Sequence, residues 1–189
     1  WYIMKIKKLI LIVFLLLSIP ITSNAINIGD WSRVETDAGF SVLLPPGWIV
    51  YPDESIEDGT VVGPIDNPSI LLTLAVTENT DYHILSGAEL KNYLKIYTDS
   101  AGIQWTIEPY ITGDTISVSS ITMNGDIAAV TLRSTLDNVI LCHAIFPDLQ
   151  TFQNYAEIVG TIEGSLMMTN NYSNIYDNNS VPPKTEEES

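Results

Sequence analysis

The chain is short of cations. Eight lysines and arginines stand against 23 aspartates and glutamates, a formal net charge of −15 over 189 residues. Binding phosphates takes clustered Lys and Arg, so this balance argues against a nucleic-acid partner or an anionic membrane surface. Cysteine is scarcer still. Cys142 is the only one, so no intramolecular disulfide can form and the fold must be stabilised by burial. Histidine is limited to His83 and His143; with one cysteine, that is too few for a convincing zinc or haem site. No glycine-rich phosphate loop, no G-x-S-x-G elbow and no H-E-x-x-H pair occurs. Past the first 25 residues, no apolar run approaches the roughly 18 residues that a membrane helix needs.

The longest apolar run lies near the start. Met4-Lys5-Ile6-Lys7-Lys8 is basic, Leu9 to Leu17 is uninterrupted and apolar, and Pro20 breaks it. Ser23-Asn24-Ala25 puts small residues at −3 and −1 for cleavage before Ile26, the pattern of a secretory signal peptide. The alternative is that residues 9–22 are kept as an anchor. Trp1-Tyr2-Ile3 read as upstream of the true start. Cleavage leaves five basic against 23 acidic residues, a net charge of −18, in a secreted or extracytoplasmic chain of 164 residues. That length suits one domain. No cysteine follows the cleavage site to take a lipid, and no membrane insertion is expected after cleavage. Residues 169–189 carry Asn, Ser, Pro182-Pro183 and Glu186 to Glu188, with little to bury, and read as a disordered acidic tail. Asn171 and Asn178 open triplets that match the glycosylation acceptor. The globular unit is expected over 26–168.

Within that unit the pattern predicts strands over Gly39–Leu44 and Trp48–Tyr51, split by Pro45-Pro46-Gly47, then over Thr60–Gly63 and Ser69–Val76. Ser86-Gly87-Ala88-Glu89 is a capping box. Leu90, Tyr93, Leu94 and Tyr97 behind it line one helix face. Strands follow near 104–109, 115–123 and 126–134, the last two joined by Asn124-Gly125, a strong hairpin signal. A fourth runs from Val139 to Phe146. Pro147-Asp148 then opens a helix striped by Phe152, Tyr155, Val159, Ile162 and Leu166. The runs Ile70–Val76 and Val139–Ile145 do not alternate, so their strands must be covered on both faces. An α+β fold follows, an α/β/α sandwich in which helices cover an antiparallel sheet.

The opening Gly39-Phe40-Ser41-Val42-Leu43-Leu44-Pro45-Pro46-Gly47-Trp48 and the closing helix Tyr155 to Leu166 resemble the PsbP/Mog-like superfamily over roughly 30–168. The resemblance implies an α/β/α sandwich around an antiparallel sheet. It carries no function, because members include photosystem accessory subunits, a Ran-binding nuclear protein and secreted proteins of unknown role. In physical terms the Pro-Gly-Trp turn is structural, with Trp48 expected as a core anchor beneath it.

Chemistry is sparse. Cys142 and His143 are neighbours on a strand and point to opposite faces, so they cannot form a nucleophile–base dyad. Cys142 is expected buried and His143 hydrogen-bonded within the sheet, while His83 is expected exposed in a loop. Asp53, Glu54, Glu57 and Asp58, with Asp66 nearby, form an acidic loop. It reads first as a solvated loop, with weak Ca2+ binding the alternative. Trp31, Trp48, Trp105 and the tyrosines read mainly as core, with an aromatic groove for carbohydrate or peptide as the alternative. The leading expectation is a non-catalytic binding or accessory domain with an unidentified protein or envelope partner. The competing expectations are an extracytoplasmic enzyme using carboxylates and a weak Ca2+-binding surface protein.

Overall fold

A computed structural model of the protein describes residues 26–51, 59–122 and 124–169. The leader, four carboxylates of the acidic loop (Asp53, Glu54, Glu57, Asp58) and the tail with Asn171 and Asn178 lie outside the described residues. The strands are β1 (Ser32–Glu35), β2 (Phe40–Leu44), β3 (Trp48–Val50), β4 (Gly59–Pro64), β5 (Leu71–Glu78), β6 (Tyr110–Thr112), β7 (Thr115–Ile121), β8 (Ile127–Ser134), β9 (Asn138–Phe146) and β10 (Met167–Met168). Helix α1 (Gly87–Ser100) follows β5 and helix α2 (Leu149–Gly164) follows β9.

Two antiparallel sheets form where one was expected. Seven strands order as β3-β4-β5-β9-β8-β7-β6, and β1-β2-β10 make a second, small sheet. The Pro45-Pro46-Gly47 turn is the hand-over between them. Trp48 N–H donates to the Pro45 carbonyl at 3.1 Å, and Gly47 takes φ 81°, the left-handed position that a turn of this type reserves for glycine. Trp48 therefore starts the edge strand β3. It is half-buried, not fully anchored, with its ring 6.3 Å from that of Tyr155. Arg33 ties the small sheet to the end of α2, donating to Ser41 Oγ (3.0 Å) and the Ser165 carbonyl (3.2 Å).

The two helices start where their sequences say. The Ser86–Glu89 capping box is complete, and the Asp148 carboxylate accepts from Thr151 N–H at 2.7 Å, which holds its pKa down. The strand expected near 104–109 is absent. Ile103 N–H donates to the Thr98 carbonyl (2.8 Å), Trp105 Nε1 donates to Thr98 Oγ1 (2.9 Å), and the Ser120 hydroxyl donates to the Gln104 carbonyl. These bonds fasten the segment to α1 and its neighbours, and the strand forms one step later, at β6.

The apolar runs of β5 and β9 are covered unequally. On one face Leu72, Leu74, Val76, Ile140, Cys142, Ala144 and Phe146 are buried. They join Phe40, Val42, Val159 and Ile162 in a core closed by α2 and the small sheet. The other face carries a second core of Leu85, Leu90, Leu94, Ile103, Ile116, Val118, Ala128, Val130 and Leu132 beneath α1. There Leu71, Thr73, His143 and Ile145 are only half-buried. Helix α1 packs on β7 and β8 and α2 on β9, so each helix covers only part of its face.

Candidate functional site

Three places in the fold gather titratable or exposed apolar groups. The first is the β5–β9 stretch on the α1 face. There the Tyr97 hydroxyl and His143 Nδ1 form a 2.8 Å hydrogen bond, with the rings edge-on at 5.7 Å. Burial lowers the His143 pKa and raises that of Tyr97. His143 Nε2 is enclosed without a partner, so the imidazole sits neutral at pH 7. Cys142, one residue earlier, faces the opposite core, so no thiol–imidazole dyad forms.

The second place lies under the end of α2. Burial pushes the Cys142 thiol well up, and the Glu163 carboxyl beside it adds to the effect. Burial likewise raises Glu163, while Arg133 and the Cys142 thiol pull it back. Arg133 Nε is enclosed without a partner. Cys142 is 3% exposed, as expected, but its surroundings include a carboxyl that the apolar run of β9 did not announce. A buried thiol held protonated is a poor nucleophile.

The third is the edge of the large sheet at β6. All three of its residues are exposed, Tyr110 at 74% and Ile111 at 43%, and Ile107 just before them at 48%. The strand pairs only with β7 among the described residues. Its hairpin loop is Gly113-Asp114, with Gly113 at φ 58°, the two-residue loop that favours glycine first. A side chain at Gly87 would meet Ile111 Cγ2 at 3.3 Å, so β6 lies against the first turn of α1. Lys91 donates to Glu108 at 2.7 Å across the same seam.

Other expectations resolve as follows. His83 is exposed, with Nε2 3.3 Å from Glu89 Oε1; the Asp81 carbonyl, then Glu89, raise its pKa. Asp66 is exposed in the β4–β5 turn. Because its four acidic companions lie outside the described residues, the structure places no cation site there. Trp31, Trp48 and Trp105 are half-buried against the two cores, and the exposed aromatics among the described residues are Tyr82, Tyr93 and Tyr110. A hollow of about 260 Å³ is lined by Lys95, Asp99, Ile103, Gln104 and Trp105. Small-molecule sites start near 300 Å³ and are largely apolar with convergent polar groups. Here the ammonium and carboxylate at the rim bond to each other at 2.6 Å.

No protein-family model matches the chain, and no curated protein matches it. Solved structures do. The solution structure of the cyanobacterial PsbP (CyanoP) of Synechocystis superposes with a TM-score of 0.51 at 12% identity, over 77% of this chain and 96% of that one. The Ran-binding protein Mog1p of Saccharomyces cerevisiae superposes with a TM-score of 0.50 at 13% identity, over 73% of this chain and 95% of that one. The chain has a PsbP/Mog-like fold. At these identities the likeness is one of architecture. It accounts for the order of strands, helix, strands and closing helix, and it brings no site residue with it. On the PsbP/Mog-like frame this chain carries the Tyr97–His143 pair, the Cys142–Glu163–Arg133 cluster and the β6 edge.

Proposed function

We propose that the protein is a non-catalytic binding or accessory domain of the secreted or extracytoplasmic space, docking a protein or envelope component. One observation carries the reading: Tyr110 and Ile111 stand exposed on β6, which pairs on one side only among the described residues, with Ile107 exposed in the segment before it. Isolated exposed apolar residues are ordinary, whereas apolar residues gathered at the edge strand of a sheet favour a surface that associates. The fold is shared with a Ran-binding protein, an instance of this frame engaging another protein. The leader pattern of residues 4–25 supports export, and among the described residues no helix is long and apolar enough to cross a membrane. The test is twofold. Purified from the extracytoplasmic fraction of its source, the protein is expected to co-elute in fixed stoichiometry with one partner and to show no turnover on hydrolase substrates. Reproducible turnover lost on substituting His83 or a single carboxylate overturns the reading in favour of an enzyme.

A further inference from the structure

We infer that the β6 edge takes an extended, basic segment of the partner as an additional strand. The inference rests on the binding reading above and deepens it by naming the surface and the chemistry of its ligand. β6 offers backbone groups on its outer side, and an edge of that kind is completed by another strand running alongside it. Proteins that keep an edge unpaired place Lys on it or shorten it; β6 is short, at three residues, but no charged residue lies on it. This one carries Tyr110, Ile111 and Thr112, with Pro109 and Gly113 marking its ends.

Charge decides which strand fits. Asp114 stands in the turn that ends β6, and Glu108, held by Lys91, lies just before the strand. The cations in the described residues are Arg33, Lys91, Lys95 and Arg133, against 15 carboxylates. Both lysines are engaged, Lys91 with Glu108 and Lys95 with Asp99. A second copy of this chain would bring like charge to the edge, as would its own acidic tail. The matching occupant has apolar side chains, to lie beside Tyr110 and Ile111, and Lys or Arg to meet the excess of carboxylates.

The test is a backbone-amide NMR titration of the purified protein with an acetylated eight-residue peptide of alternating lysine and valine. The same peptide with glutamate for lysine is the control. Saturable shifts confined to 107–114 and the first turn of α1 are expected, absent with the glutamate peptide and weakened at least tenfold between 50 and 500 mM salt, on the order expected for several charge contacts. Ile111→Lys should abolish them, and Ile96→Ser, elsewhere on α1, should leave them unchanged. Asp114→Asn, which leaves the Lys91–Glu108 pair in place, should weaken binding several-fold. Shifts at other strands, equal response to both peptides, or dimerisation through β6 without peptide overturns the inference. Protection of β6 by the protein's own tail overturns it as well. If a natural partner binds the Ile111→Lys variant undiminished, the docking edge is wrong while the binding reading stands.

Discussion

The two helices of this protein do the same job to different extents. Helix α2 works with a second sheet. Between them they close a core in which Phe40, Ile70, Leu72, Leu74, Phe146 and Ile162 are wholly buried. Helix α1 works alone over β7 and β8, and its core of nine buried residues is smaller than the sixteen on the other side. Past α1 the same sheet face runs out into half-buried residues on one side and an exposed edge at β6 on the other. The difference teaches that burial and openness in this fold are set by how many elements share a face. The α2 side is closed by two elements, and the α1 side leaves more of its face exposed.

The largest expected effect lies on the α2 side. Phe146 is wholly buried, 5.3 Å from Phe152 in an edge-on pair. Phe146→Ala should cost about 3–5 kcal/mol, the range for emptying a large buried site, read by urea denaturation. A cost below about 1 kcal/mol would show that this core is loosely packed and would break the comparison. Trp48→Ala should cost less, about 2 kcal/mol, because Trp48 lies half-buried on the edge strand and a half-buried ring loses less on truncation. A loss equal to that of Phe146 would mean that the β3 edge is as closed as the centre.

The two histidines sharpen the contrast further. His143 is half-buried by the α1 face and its pKa is lowered by burial; His83 is exposed and its pKa is raised, chiefly by the Asp81 carbonyl. Imidazole NMR should therefore show His83 titrating above the ordinary value of about 6.5 and His143 below it. A base with a depressed folded pKa binds fewer protons folded than unfolded. His143 thus contributes stability that is full above about pH 6.5 and is lost as pH falls through its folded value. His83 has the opposite sign, favouring the fold below the unfolded value and losing that contribution as pH rises through the folded one, and solvent screens it. The reverse titration order would put His143 in contact with water and open the face more widely.

Much of this frame was legible in local pattern. The capping box at Ser86, the cap at Asp148, the Asn124-Gly125 hairpin and the unbroken runs of β5 and β9 each rest on neighbours in sequence, and each appears where its residues put it. What escaped depends on contacts distant in sequence. β1 and β10 are short, and β2 holds them together from opposite ends of the domain. The second sheet was invisible because nothing local says that Pro45-Pro46-Gly47 passes the chain between sheets. β6 had a readable signal in Gly113-Asp114, a two-residue loop between apolar stretches. It was overridden by the apolar residues of 103–107, which Thr98 draws to the helix instead. The Tyr97–His143 bond and the approach of Glu163 to Cys142 join residues tens of positions apart, and no spacing rule reaches them.

The smallest effect in energy gives the most direct test of unequal cover: native-state hydrogen exchange along the large sheet. Central strand amides open only with global unfolding, whereas a bare edge opens locally at little cost. The amides of Cys142 and Ala144 in β9 should reach the protection of global unfolding, and those of Tyr110 to Thr112 in β6 should exchange far faster, through local opening. Protection of the β6 amides equal to that of β9 would mean that the edge is already covered, and would contradict the account of α1 as the side left more exposed.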